Sequence, residues 1–118
     1  MKQYSLILPL FFFFIPTILP MGLTIVPTAL GSDRLETGEK IFTSYCNVCH
    51  IGGNNIILPE KNLQKRSLEA NGMNNMEAIM YQVTNGKNGM PAFGGRLKET
   101  EIESVAIYIL KEFGTGKE

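Results

Sequence analysis

The chain has 118 residues, with 11 basic and 11 acidic side chains and a hydrophobic fraction of 44%. Such a balance excludes the basic surface that nucleic-acid binding calls for, and a total of two cysteines and one histidine excludes a four-ligand zinc site. The elements follow in chain order. Lys2 is the only charge before Asp33, and an apolar run from Leu6 to Ile15 is followed by a second from Ile18 to Leu30. A positive start, an apolar centre and small residues at the end predict a secretory signal peptide, residues 1–31, cut after Gly31. A retained anchor is the alternative, since the stretch is long enough to span a bilayer, but Pro9, Pro16, Pro20, Pro27 and Gly22 interrupt it. No twin-arginine pair is present, which points to export as an unfolded chain. Residues 32–118 then form one small domain, near the lower limit for an independent core.

Within that domain, Asp33 and Glu36 have capping-box spacing and open a helix whose apolar face is Leu35, Ile41, Phe42 and Tyr45. A short helix is expected over 67–71, closed by Gly72. Asn75 caps a third, with Met76, Ile79, Met80 and Val83 inward and Asn85-Gly86 as its stop. Thr100 and Glu103 set a capping box for a last helix, with Ile102, Val105, Ala106, Ile109 and Phe113 on its apolar face. No window alternates as a half-buried strand does. The fold class is all-α.

The first helix is expected to end at Cys46-Asn47-Val48-Cys49-His50, a C-x-x-C-H run. Two thiols at this spacing add across the two vinyl groups of one haem edge, and the adjacent histidine lies under the ring to ligate iron. A thioredoxin-like pair would need a β-α-β frame, which this chain lacks. The motif uses every cysteine and histidine present. One haem c per chain would also supply the apolar interior that so small a domain is short of.

Methionine is the natural candidate for a sixth iron ligand, because no second histidine exists. Met76 and Met80 read as core filler on a helix face. Met73 and Met90 lie in loops. Spacing favours Met90, in Asn85-Gly86-Lys87-Asn88-Gly89-Met90-Pro91-Ala92-Phe93-Gly94-Gly95, whose glycines allow close backbone approach while Pro91 stiffens it; Met73 stays open on spacing alone.

Together these segments resemble the cytochrome c6 family of algal and cyanobacterial photosynthesis. The resemblance covers nearly all of residues 32–118. It is carried by Gly38-Glu39-Lys40-Ile41-Phe42, the C-x-x-C-H run, Gly52-Gly53-Asn54-Asn55, Leu68-Glu69-Ala70-Asn71, Tyr81-Gln82-Val83 and the methionine loop through Arg96-Leu97. The family pattern often has alanine where this chain has Gly89. The resemblance implies a small class I cytochrome c fold, about four helices around one covalent haem held by Cys46 and Cys49, with His50 and Met90 as axial ligands. It further implies that Gln82 points at the haem and tunes its potential, and that Arg96 and Lys87 lie near the haem edge and partner face. Asn54 and Asn55 would hold the loop after the motif or reach a propionate; turn chemistry explains them as well. Gly38, Phe42 and Tyr108 would pack the first helix on the last. The implied function is one-electron transport in the thylakoid lumen of an algal chloroplast or a cyanobacterium, from cytochrome f of the cytochrome b6f complex to photosystem I. The carrier would be mostly monomeric and not embedded in the membrane after cleavage. Two protein ligands on the iron argue against catalysis; a haem enzyme or sensor with an open site, and a haem domain fixed to a membrane oxidase, are the rivals.

Overall fold

The structure is a computed structural model and describes residues 29–116, with only the backbone of Ala29 and Leu30. Residues 1–28 of the expected leader lie outside the described residues. The architecture is all-helical: α1 (Ala29–Ile41), α2 (Asn47–His50), α3 (Lys65–Ala70), α4 (Met76–Asn85) and α5 (Glu99–Glu112). A π-helical turn, Phe42–Cys46, joins α1 to α2, so helical chain runs from Ala29 to His50. Counting that run once leaves four helices among the described residues, and no strand.

α5 packs on both α1 and α4. Ile41 and Phe42 meet Val105, Ala106 and Ile109 of α5, with Ile79 and Val83 from α4, Leu68 from α3 and Phe93 from the following loop completing the core. The α1–α5 crossing is tight because Gly38 has no side chain. A Cβ there would lie 2.1 Å from the Ser104 carbonyl oxygen and 2.9 Å from Tyr108 Cβ. Phe42 stacks obliquely on Tyr108, with ring centroids 5.2 Å apart, and on Phe113 at 5.6 Å. Arg34 of α1 is tied to Glu103 of α5 at 2.5 Å.

Two expected caps move. Asp33 lies inside α1 and is not its N-cap, because the helix already begins four residues upstream at Ala29. At α5 the cap is Lys98, two residues before the expected Thr100. The Lys98 N–H donates to Glu101 Oε2 at 2.8 Å, a half capping box in which the donating main-chain group belongs to any residue type but proline. Asn75 behaves as expected: its Oδ1 accepts from the Ala78 N–H at 2.9 Å. Gly86 ends α4 at φ 66°, and its own N–H donates to the Gln82 carbonyl.

A candidate haem cavity between the motif and the methionine loop

One cavity of about 310 Å³ opens between α2, the loop that follows it, α4 and the loop after α4. Cys46, Cys49 and His50 line it from α2 and its approach. Met73, Gln82, Lys87 and Met90 line it from the other segments, and most of the remaining wall is apolar, including Phe42, Tyr45, Leu68, Ile79, Val83 and Phe93. The π turn delivers the first thiol to this wall. Its extra residue per turn is an irregularity common at functional sites, and the Asn47 N–H closes it on the Phe42 carbonyl. Both cysteines are free thiols. Burial, with Cys49 close by, pushes the Cys46 thiol up to about 11, so it is uncharged at neutral pH.

His50 is held by one bond that decides its chemistry. Its Nδ1 lies 2.9 Å from the main-chain carbonyl oxygen of Asn54. A carbonyl only accepts, so Nδ1 carries the proton and Nε2 keeps a free lone pair, the arrangement usual in a metal-ligating histidine. Asn54 therefore contributes through its backbone, and its exposed side chain does not line the cavity. Asn55 does line it, and its side chain is the clamp of the loop. Oδ1 accepts from the Ile57 and Leu58 N–H groups at 3.0 and 2.9 Å, and Nδ2 donates to the Lys61 carbonyl.

Across the sequence, Gln82 Nε2 approaches Met90 Sδ at 3.8 Å, a weak donation to a thioether. Met90 stands at one end of a short antiparallel bridge with Lys87, each N–H bonding the other's carbonyl at 3.0 Å. Met73 also lines the cavity, so the wall offers two thioethers; Met76 and Met80 pack against the core and are not part of it. Arg96 is exposed and outside the wall, its guanidinium 5.9 Å above the ring of the buried Phe93, which is inside it. Sequence reasoning missed Tyr45, Ile57, Leu58, Asn62 and Lys61 on the wall. Lys61 is bound to Asn71 Oδ1 through its ammonium group. Nothing local marks these residues; only the fold brings 57–63 against the motif.

The donor set fits a haem. Two thiols, an imidazole with a free Nε2 and a thioether border one cavity whose walls are apolar, and no group of three or more metal-binding His, Cys, Asp or Glu exists among the described residues to suggest a bare ion. Comparison with known proteins narrows this. The profile of the family described as cytochrome c oxidase, cbb3-type, subunit III matches residues 33–109. Cytochrome c6 of Bumilleriopsis filiformis is 62% identical over 82 residues, which make up 70% of this chain and 95% of that protein. The chain belongs to the cytochrome c6 family. Cytochrome c6 of Pyropia yezoensis is 46% identical over 115 residues, covering 98% of this chain and 97% of the relative. The solved structure of cytochrome c6 from the diatom Phaeodactylum tricornutum superposes with a TM-score of 0.67 at 48% identity, covering 70% of this chain and 97% of that one. The expected class I cytochrome fold is therefore the observed one, and haem is the cofactor. A cytochrome c6 is an electron carrier that serves redox partners, and the algal relatives fit a photosynthetic, plastid setting. No helix among the described residues is long and apolar enough to cross a membrane.

Proposed function

We propose that this cytochrome c6 carries single electrons in the thylakoid lumen from cytochrome f of the cytochrome b6f complex to photosystem I. The observation that carries the reading is the joint presence of Cys46, Cys49, His50 with its fixed tautomer and Met90 on one apolar-walled cavity. Bound there, the haem supplies a one-electron iron couple. Cys46 and Cys49 would hold it through their thiols. His50, oriented by the Asn54 carbonyl, would offer Nε2 to the iron, and Met90 would offer its sulfur, a soft donor that favours the reduced metal and raises the potential. Gln82 draws electron density from that sulfur and works in the same direction. With His50 and Met90 both given to the iron, no open position would remain for a substrate, which favours electron transfer over catalysis.

Before this, residues 1–31 act as a leader and are removed. In support, 82 residues of this chain account for 95% of one relative, while another pairs with 98% of the chain. The cut would fall three residues into α1 and leave the Arg34–Glu103 ion pair in the mature domain. N-terminal sequencing of the lumenal protein should begin at Ser32.

Reduced-minus-oxidised absorption spectra combined with the intact mass of the purified protein test the site: one covalent haem and a six-coordinate low-spin spectrum are expected. Met90→Ala should abolish the weak far-red ferric band and lower the potential, while Met73→Ala leaves both in place. The reverse pattern would transfer the ligand role to Met73. For the partners, laser-flash kinetics with photosystem I particles across a salt series should show Arg96→Glu slowing the second-order encounter and changing its ionic-strength dependence, since surface charge steers approach. Equal rates at every salt concentration would reduce Arg96 to an ordinary surface charge.

A further inference from the structure

Three Asn-Gly pairs stand in the described chain, Asn71-Gly72, Asn85-Gly86 and Asn88-Gly89, and the fold treats them differently. At the first pair, Asn71 Nδ2 donates to the Ser67 carbonyl, Oδ1 accepts from Lys61 Nζ, and the Gly72 N–H donates to the Glu69 carbonyl. At the second, Asn85 Nδ2 donates to the Tyr81 carbonyl and the Gly86 N–H to the Gln82 carbonyl at 2.7 Å. Among the described residues, neither the Asn88 side chain nor the Gly89 N–H has such a bond. Both residues are exposed. Asn88 also has φ 52°, and no other non-glycine described residue has positive φ; Gly89 is not among the positive-φ glycines. Positive φ at the first central residue alone fits a type II′ turn, a backbone in which the next main-chain nitrogen can approach the side-chain carbonyl carbon.

We propose that Asn88 is a site of spontaneous, fold-directed deamidation at the mouth of the haem cavity, yielding aspartate and isoaspartate. The Gly89 nitrogen attacks Asn88 Cγ. A C–N bond forms, the bond from Cγ to the amide nitrogen breaks, and the proton lost by Gly89 leaves with that nitrogen as ammonia. Water then opens the cyclic imide. Breakage of the bond to Cγ leaves aspartate; breakage of the bond to the former main-chain carbonyl leaves isoaspartate. Redox state does not change, and the only co-reactant is water. Gly89 leaves its nitrogen unhindered, and a methyl group at this position would hinder the attack.

Either product adds a negative charge to a residue that lines the cavity. Isoaspartate also lengthens the main chain by one methylene inside a two-residue turn. The Lys87–Met90 bridge then loses its register, and Met90 its position on the wall.

The test holds purified holoprotein at mildly alkaline pH and samples it over days. Digestion under acidic conditions suppresses further reaction, and fragment ions locate the mass shift of NH2 replaced by OH; methyltransferase labelling reports isoaspartate. The expected result is conversion at Asn88 at least roughly 30-fold ahead of Asn85, the factor for two hydrogen bonds that must open first, and further ahead of Asn71, where three must open. In urea the three sites should converge. Gly89→Ala should slow Asn88 severalfold; its Cβ would meet only the flexible Ile57 tip, at 3.1 Å. Conversion at Asn88 no faster than at the other two in the folded holoprotein overturns the proposal, as does a lead for either of them.

Discussion

The α1–α5 crossing and the two loops that frame the cavity solve the same problem of holding backbone in place, by opposite means. At the crossing, main chain approaches main chain because Gly38 is bare, and apolar side chains around it, with Val105 and Ala106 fully buried, exclude water. In the loop after α2 the large apolar side chains Ile51, Ile56 and Ile57 stay exposed and bury little. There, amide side chains stand in for secondary structure: Asn55 alone closes three bonds around 57–61, and Asn62 binds the Pro59 carbonyl and the Gln64 N–H. The crossing should therefore fail when atoms are added, and the loops when polar atoms are taken away.

The most damaging single change should be Gly38→Ala. Its methyl carbon would overlap the Ser104 carbonyl, which is backbone and cannot rotate aside, so a loss of about 3 kcal/mol is expected in urea titration of the holoprotein. A loss below about 1 kcal/mol would mean the helices slide apart freely. Asn55→Ala should come next, at roughly 2 kcal/mol, since it strands two N–H groups and one carbonyl of which the Leu58 N–H is half-buried. Asn55→Asp, which keeps the acceptor, should recover much of that loss. Gln82→Leu removes only a weak donor at 3.8 Å from Met90 Sδ; stability should hold while the midpoint potential falls by about 20 mV. An unchanged potential would show that the amide does not act on the sulfur.

The smallest effect belongs to alkaline pH at the crossing. Burial, with help from Glu112 and Glu39, raises the Tyr108 hydroxyl above its ordinary 10.0. The folded state thus favours the neutral phenol. Its contribution is complete below pH 10 and is lost as the pH climbs through the unfolded value towards the higher folded one. Tyr108→Phe should flatten the fall of the urea midpoint above about pH 10; an equal fall in both proteins would assign it to other groups.

Legibility in the sequence follows the same division. Period and caps reveal elements whose information is local: Asn75 and Gly86 bound α4 as read, and Ile102, Val105, Ala106 and Ile109 face inward on α5. The α5 cap was not legible, because Lys98 donates through a main-chain N–H that its identity does not advertise, while Thr100 offers a competing spacing. Asn54 and Asn55 looked alike as neighbours, yet one acts through its carbonyl on His50 and the other through its side chain on the loop. The π turn is invisible to a 3.6-residue period. Of the cavity, Cys46, Cys49, His50 and Met90 stood out because their chemistry is rare in this chain. Lys61, Asn62 and Tyr45 are common residue types whose place on the wall is set only by long-range packing.

The ring cluster at the crossing leaves this protein with an unusual optical identity. The chain contains no tryptophan, so its ultraviolet emission is phenolic, and among the described residues it comes from Tyr45 on the cavity wall, Tyr81 in solvent and Tyr108 against Phe42 and Phe113. A porphyrin held in the cavity that Tyr45 lines would drain excited-state energy from all three across so small a domain. Newly made chain should fluoresce until it acquires its pigment and then go dark, and the fading of that glow would time maturation without any added dye.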